Sequence, residues 1–148
     1  MNDTDIPTGY IGCMADDATC PQAARCLRAL AYRLRARQPE QPDWLTIINP
    51  ANTASRYATP QCAHFRPATP VRYAKGMQHL FDNVPLAQAG GLRRDVGHCF
   101  TSRRMYYRYR TGEYLLPPRM QEDIARIFRR HGIADGPCFD SYVESYAW

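Results

Sequence analysis

The C-terminal half of the chain contains two amphipathic segments that a proline pair separates. The first, residues 102–110, alternates arginines and tyrosines and ends before Gly112. The second begins at Pro118, whose fixed φ suits the first turn of a helix, and ends before Gly132, a typical helix C-cap residue. Its apolar residues recur at helical spacing: Met120, Ile124, Ile127 and Phe128. This pattern predicts two helices, 102–110 and 118–131, joined by a tight break.

Apolar spacing predicts further helices at 21–37, 71–84 and 86–97, the last weakened by Gly90-Gly91, and a closing helical turn from Phe139 to Tyr146. The run Trp44–Ile48 reads as a short extended piece that stops at Asn49-Pro50. The predicted fold is therefore mainly α, a helical bundle in one compact domain. It combines an irregular cysteine-rich segment (1–70, one long helix and a proline-rich loop) with a helix-turn-helix-like C-terminal unit (71–148).

Length and composition limit the class of protein. A chain of 148 residues with 45% hydrophobic residues is long enough for one domain with a real core. It contains no apolar run of the roughly 18–20 residues that a membrane span needs. The acidic start, residues 1–9, lacks the basic and apolar parts of a signal peptide. We therefore expect a cytoplasmic protein with reduced cysteines and no membrane partner.

Positive charge is concentrated in one stretch. The formal net charge is +5, and residues 93–110 alone carry six arginines and one acidic residue, Asp95. Lys75 is the only lysine, so almost all of the positive charge is on guanidinium groups, which match phosphates and base edges better than a lysine does. A basic patch attracts polyanions. This distribution indicates DNA as a partner.

The order of the predicted helices from 71 to 131 is that of a helix-turn-helix domain. Residues 101–112 resemble the recognition helix and glycine turn of repressor-type helix-turn-helix proteins, which implies DNA binding. On this resemblance Arg103 and Arg104 are the candidates for base-edge contacts. The phosphate contacts would come from Arg93, Arg94 and Arg108. The full candidate nucleic-acid site is Arg93, Arg94, Arg103, Arg104, Tyr106, Tyr107, Arg108 and Arg110.

The same residues allow two other interpretations. A run of arginines is often a solvated helix face with tyrosines packed beneath it. Tyrosine and arginine also dominate hot spots of protein interfaces, so the face of Tyr106, Tyr107, Tyr109 and Tyr114 is a candidate surface for a protein partner. Composition does not separate these alternatives.

Four of the six cysteines form a candidate metal site. Cys13, Cys20 and Cys26 lie close together in the sequence, and Cys62 follows in the proline-rich loop two residues before His64. Four thiolates suit Zn²⁺ or an iron–sulfur cluster, although the spacing is not the Cys-x2-Cys pattern of common zinc modules. Free structural thiols, disulfides and thiol redox chemistry are the alternatives. Cys99 and Cys138 are interpreted as core residues.

The sequence favours a binding protein over an enzyme. It has no glycine-rich phosphate loop, no Gly-x-Ser-x-Gly elbow and no His-Glu-x-x-His pair. The four histidines are scattered, and the clustered tyrosines are typical of packing rather than of a nucleophile. No catalytic residue is predicted.

Several segments together resemble one small bacterial family. They are Cys20–Arg28, Asn49-Pro50, Cys62 near Phe65, and Phe100–Gly132. The family is a cysteine-rich domain of unknown function (DUF6078) found in gut-type anaerobes. The resemblance implies no activity, ligand or catalytic residue. An anaerobic source would make an iron–sulfur cluster easier to keep.

Overall fold

The second half of the chain is built on a three-stranded antiparallel sheet with the strand order β2-β1-β3. A computed structural model describes residues 5–38, 45–49, 51 and 56–148. The central strand β1 (Val71–Lys75) pairs with β2 (Leu115–Leu116) on one side and with β3 (Ser141–Ser145) on the other. The register places Ala74 opposite both Leu116 and Tyr142, so β1 joins two segments that are distant in sequence.

The described residues also contain four α-helices. They are α1 (Leu27–Ala36), α2 (Leu86–Gly97), α3 (Arg103–Arg110) and α4 (Pro118–Arg130), and a short 3-10 helix (Ala23–Arg25) precedes α1. The chain divides into two compact units, which we call the first unit (up to Pro70, with Tyr146–Trp148) and the second unit (Val71–Ser145). None of the helices in these described ranges has the length and apolar character needed to cross a membrane.

The predicted mainly α helical bundle with a helix-turn-helix-like C-terminal unit is wrong, because residues 71–145 contain a three-stranded antiparallel sheet. The predicted helix 71–84 is instead β1 followed by turns, and the predicted closing turn is the strand β3. Tyr73, Met77 and Leu80 do recur at helical spacing, but Gly76 adopts a φ of +83° and ends the regular backbone directly after β1. Because β3 lies almost seventy residues further on, the pairing that stabilises β1 leaves no local signal in the sequence.

The core of the second unit lies between the sheet and the helices α2 and α4. Its fully buried side chains include Leu92 and Val96 from α2, Leu116 from β2, and Ile124 and Phe128 from α4. The apolar stripe predicted for 118–131 is therefore the face that α4 buries. The glycine pair predicted to weaken α2 lies within a continuous helix.

The first unit is organised around α1 and the proline-rich loop that includes residues 59–67. The long helix predicted at 21–37 is interrupted at Cys26, which has an extended backbone (φ −97°, ψ 119°). The interruption has a cause, since Cys26 forms a bridge with Pro67 and the Leu27 amide donates to the Arg66 carbonyl at 2.7 Å. Gln22 adds two hydrogen bonds to the same loop. These bonds fix a segment that lacks regular structure.

The predicted extended piece at 44–48 is partly described. Ile47 forms a parallel bridge with Gly12, and the Ile48 amide donates to the Gly12 carbonyl at 3.0 Å. Trp44 and Pro50 lie outside the described residues.

An ion pair between α2 and the end of α4 gives a pH-dependent prediction. His131 Nε2 lies 2.8 Å from Asp95 Oδ2, and this hydrogen bond lowers the pKa of Asp95 below its usual value. A lowered folded-state pKa stabilises the protein above the unfolded pKa of about 3.9 and stops doing so as pH falls through the folded pKa. We expect Asp95→Asn to lower the melting temperature at pH 6, and the difference from wild type to shrink steadily below pH 4.

Thermal unfolding followed by far-UV circular dichroism across this pH range measures the effect. The matched control is Asp135→Asn, which removes an exposed carboxylate on the turn after α4 and should change little at any pH. A difference between wild type and Asp95→Asn that stayed constant down to pH 2 would contradict the assignment.

Candidate functional sites

The connection between α2 and α3 forms an open groove with arginine and tyrosine side chains on its walls. We call it the arginine–tyrosine groove, and its lining residues are Arg93, Gly97, Phe100, Ser102, Arg103, Tyr106 and Tyr107. Its volume is about 350 Å³, which falls within the range of roughly 300–1,000 Å³ that small-ligand sites occupy. A group of nucleotide size therefore fits the groove.

The start of α3 is held firmly, which fixes the groove wall. Ser102 is the N-cap, and its Oγ accepts a hydrogen bond from the Met105 amide at 3.2 Å, as its residue type predicts. The buried ring of Phe100 packs against Tyr106 and Tyr109, with both ring centroids 5.4 Å away. Since the helix is fixed at its first turn, its outward side chains start from defined positions.

Arg93 and Arg103 line the groove, and Arg110 lies near Tyr106, so three guanidinium groups contribute positive charge around it. Arg103 lies 3.5 Å from the Tyr107 hydroxyl and lowers the pKa of that phenol. Burial raises the pKa of Tyr106, whereas the nearby charges of Arg110 and Arg93 act in the opposite direction. None of the ion pairs found in the described residues involves Arg93, Arg103 or Arg110. The groove therefore keeps its positive charge.

Arg108 lies in a different environment. Its guanidinium forms an ion pair with Glu113 and lies 3.9 Å from the centroid of the Tyr114 ring. The hydrogen bond from Arg108 lowers the pKa of Glu113, and the charge of Arg104 contributes to the same effect. Arg94 is exposed on α2 without lining the groove. Of the eight residues predicted to bind nucleic acid, four line the groove: Arg93, Arg103, Tyr106 and Tyr107. The other four do not line it: Arg94, Arg104, Arg108 and Arg110.

The four tyrosines of the predicted protein-binding face also separate. Tyr109 and Tyr114 pack against each other with ring centroids 5.6 Å apart, and Tyr109 also contacts Phe100. Tyr106 is half-buried, and Tyr107 is the one of the four that is exposed, at 43%. The four tyrosines therefore do not form a continuous exposed surface.

The first unit contains a second candidate site, a small cavity that we call the cysteine cavity. Cys13, Cys20, Cys26 and Cys62 all line it, together with His64. Three of these cysteines are buried, the fourth is half-buried, and all six cysteines of the chain are free thiols. The cavity volume is about 10 Å³, close to the space that one water molecule needs.

Backbone hydrogen bonds bring these cysteines together from separate segments. The Cys13 amide donates to the Arg28 carbonyl of α1 at 3.1 Å, and the Cys20 amide donates to the Asp16 carbonyl at 2.8 Å. Cys62 is placed by the loop that Arg28 holds, since Arg28 Nε donates to the His64 carbonyl at 3.1 Å. Arg28 also donates to the Ile11 carbonyl, so one side chain ties both flanking segments to α1.

Tyr57 lies against the cysteine cavity. Burial is the main cause that raises the pKa of Tyr57 to about 12, and a hydrogen bond with the Cys13 side chain adds to it. The phenol therefore stays protonated and offers its O–H to the thiol. In the ranges that the structure describes, no three His, Cys, Asp or Glu side chains are already arranged to hold a metal ion.

The remaining two cysteines lie in the second unit. Cys99 is half-buried against the core, and burial raises the pKa of its thiol. Cys138 is exposed, so its assignment to the core is wrong. It precedes Phe139, which takes the buried position instead.

A family comparison covers the whole chain. Residues 1–148 match a family described as a family of unknown function, DUF6078. The chain is a member of this family. No curated protein and no solved structure gives a significant match. Membership of DUF6078 confirms the family resemblance carried by Cys20–Arg28 and Phe100–Gly132, and any function has to be argued from the sites themselves.

Sequence reasoning missed two residues around the cysteine cavity of this DUF6078 chain. Gln22 is buried and donates to two loop carbonyls, and Tyr57 bonds the Cys13 side chain. A glutamine two residues after Cys20 is a weak signal by itself. Tyr57 is in an irregular segment where no periodicity indicates which side chains turn inward.

Proposed function

We propose that the arginine–tyrosine groove binds DNA, holding phosphates on its arginines and an unpaired base against Tyr107. The observation that carries the proposal is the grouping of Arg93, Arg103 and Arg110 around two phenols, with none of the three in an ion pair of the described chain. A guanidinium group that is not neutralised by a carboxylate is available to a phosphate. The planar guanidinium can bind two phosphate oxygens at once.

An unpaired nucleotide suits the groove better than an intact duplex. With eight residues, α3 is about 12 Å long, and its exposed tyrosine, Tyr107, has an aromatic ring against which a base can stack. Base–aromatic stacking is the usual way in which proteins hold single strands, and it tolerates any sequence. The groove volume of about 350 Å³ is sufficient for one base with its sugar.

Fluorescence anisotropy with a labelled oligonucleotide of about 12 nucleotides, within the site sizes known for single-strand binding, tests the proposal. We expect the single strand to bind more tightly than the matching duplex. Affinity should fall as salt rises from about 50 to 200 mM, with a log–log slope of about −0.7 per phosphate contact. The variant Arg93→Ala/Arg103→Ala should weaken binding more than tenfold at low salt and flatten the slope.

Two matched variants sharpen the result. Arg126→Ala/Arg129→Ala removes the same formal charge from α4, where both arginines are in ion pairs with neighbouring carboxylates, and should leave binding nearly unchanged. Tyr107→Ala should cost about 1–3 kcal/mol for one stacked base, whereas Tyr107→Phe should retain most of the affinity. The proposal would be wrong if the protein did not bind the single strand at low salt, or if both double-arginine variants lost the same affinity.

A protein partner is the rival outcome. Burial of Tyr109 and Tyr114 in ring contacts leaves Tyr107 as the exposed aromatic residue of the predicted face. A salt-insensitive complex that is lost in Tyr107→Ala but kept in Arg93→Ala/Arg103→Ala would favour this rival over DNA.

A further inference from the structure

We propose that the cysteine cavity binds a single Zn²⁺ ion, with Cys13, Cys20, Cys26 and Cys62 as its ligands. This inference does not depend on the DNA-binding proposal, because the cavity is in the first unit and the arginine–tyrosine groove is in the second. The starting observation is that four of the six cysteines line one small cavity, whose volume of about 10 Å³ has room for about one water molecule.

The residue types around the cavity are those that zinc selects. Zinc in structural sites is four-coordinate and is bound most often by cysteine thiolates and histidines. His64 also lines the cavity. Outside this cavity the chain has only Cys99 and Cys138, and neither lines it.

The small size of the cavity favours one ion over a cluster. A volume of about 10 Å³ is close to that of one water molecule. Zn²⁺ with sulfur ligands at about 2.3 Å occupies a comparable central space. An iron–sulfur cluster contains several iron and sulfide atoms and would have to force the walls apart. Between the two cofactors that the cysteines suggest, the cavity therefore favours zinc.

The backbone around the cavity is already fixed, whereas the thiols are not. Cys13 is tied to α1 through the Arg28 carbonyl, Cys26 is the N-cap of α1, and the Cys62 loop is held by Gln22 and Arg28. The Cys26 side chain makes no cap hydrogen bond, so capping does not compete for it. The described side chains are not in a coordinating arrangement, so ligation requires the thiols to move together.

Charge and packing around the cavity also suit the bound ion. Four thiolates and Zn²⁺ together carry a charge of −2, which is costly to bury without compensation. Arg28 lines the cavity and supplies a positive charge. Tyr57 packs against the cluster that contains Cys13, Cys20 and Cys26, and it shields this side of the cavity.

Metal content is tested on the full chain carrying Cys99→Ser/Cys138→Ser, which removes the two cysteines outside the cavity. We expect one zinc ion per chain by elemental analysis after dialysis. Replacement by Co²⁺ should give the visible absorption of a tetrahedral thiolate site. Changing Cys13 or Cys62 to serine should lower zinc affinity by more than about 100-fold, beyond the 10–100-fold that loss of an outer partner costs.

Serine variants that fail to fold would not decide the matter, so alkylation of the wild-type protein provides a second measurement. Zinc should protect the four cavity cysteines, while the exposed Cys138 reacts at the same rate with and without metal. The proposal is overturned by a folded chain that retains no stoichiometric zinc. It is equally overturned by zinc retention in Cys13→Ser/Cys20→Ser, or by iron with sulfide in place of zinc.

Discussion

Gly76→Ala is expected to destabilise the second unit by about 3 kcal/mol, a large part of the 5–15 kcal/mol that stabilises a typical domain. Gly76 has a φ of +83°, and an alanine in this left-handed region costs about 1–2 kcal/mol. A Cβ there would also lie 2.3 Å from Asp140 Oδ2 and 2.9 Å from its Cγ. Both distances are shorter than the contacts that real Cβ atoms make, so Asp140 would have to move.

Asp140 cannot move without losing hydrogen bonds. Its carboxylate accepts from the amides of Gln78 at 3.0 Å and His79 at 3.1 Å, which fixes the turn after β1 against the start of β3. Each of these bonds contributes roughly 1 kcal/mol. The strain and the lost bonds together give the expected total, which corresponds to a fall in melting temperature of more than about 10 °C for a unit of this size.

A double-mutant cycle isolates the clash. Asp140→Ala removes the carboxylate, so Gly76→Ala should cost less in that background than in wild type, by at least about 1 kcal/mol. Gly90→Ala is the matched control, because it lies inside α2 with nothing within 4 Å of the added Cβ and should be neutral or stabilising by up to about 1 kcal/mol. Circular dichroism and amide exchange in β1 measure the stability of each variant. If the stability losses of Gly76→Ala and Asp140→Ala were strictly additive, the proposed clash would be contradicted.

The helices show how far local signals lead. Helix α4 is recognisable because Pro118, an apolar stripe ending at Phe128 and Gly132 all act within one segment. The capping residue Ser102 marks α3 in the same way. Strand β1 gives the opposite case, since Met77 and Leu80 imitate a helical stripe, while the strand depends on pairing with Ser141–Ser145. The sheet depends on contacts between segments that are distant in sequence, and the periodicity of apolar residues does not reveal such contacts.

The candidate sites also combine residues that local sequence signals indicate with partners that only the fold brings close. The sequence groups the arginines of α3 by proximity, but the Glu113 partner that neutralises Arg108 lies beyond the helix end. Proximity also suggests a shared site for Cys13, Cys20 and Cys26, and the structure adds Cys62 at the same cavity. The bonds that bring Cys62 there come from Gln22 and Arg28, whose side chains give no sign of this role in the sequence.

Gln22→Leu is expected to destabilise the first unit by about 1–3 kcal/mol, because it removes two hydrogen bonds to loop carbonyls, each worth roughly 0.5–1.5 kcal/mol. Gln22 is 6% exposed, and its Nε2 donates to the Thr59 carbonyl at 3.0 Å and the Pro60 carbonyl at 2.8 Å. Leucine fills a similar volume, so the loss reports the two hydrogen bonds rather than a cavity. The position of Cys62 should loosen with them.

Gln22→Glu gives the sharper test, because it keeps the shape and changes only the donor. Two carbonyl oxygens face the new carboxyl group, so its protonated form is favoured and its folded-state pKa lies above the unfolded value. The folded state then binds more protons, and stability falls by up to about 1.4 kcal/mol per pH unit above the unfolded pKa of about 4.3. Gln88→Glu, exposed on α2, lacks this dependence and serves as the control.

Fluorescence of Trp148 in a Trp44→Phe background follows the first unit, since Trp148 belongs to it and packs against Tyr10 with ring centroids 5.1 Å apart. Denaturant unfolding at several pH values should show Gln22→Glu closest to wild type near pH 4, where its single O–H serves one of the two carbonyls, and losing stability progressively toward pH 7. Equal stability of Gln22→Glu and wild type at pH 7 would mean that the loop does not depend on this amide. The fixed position of Cys62, on which the zinc proposal relies, would then need another cause.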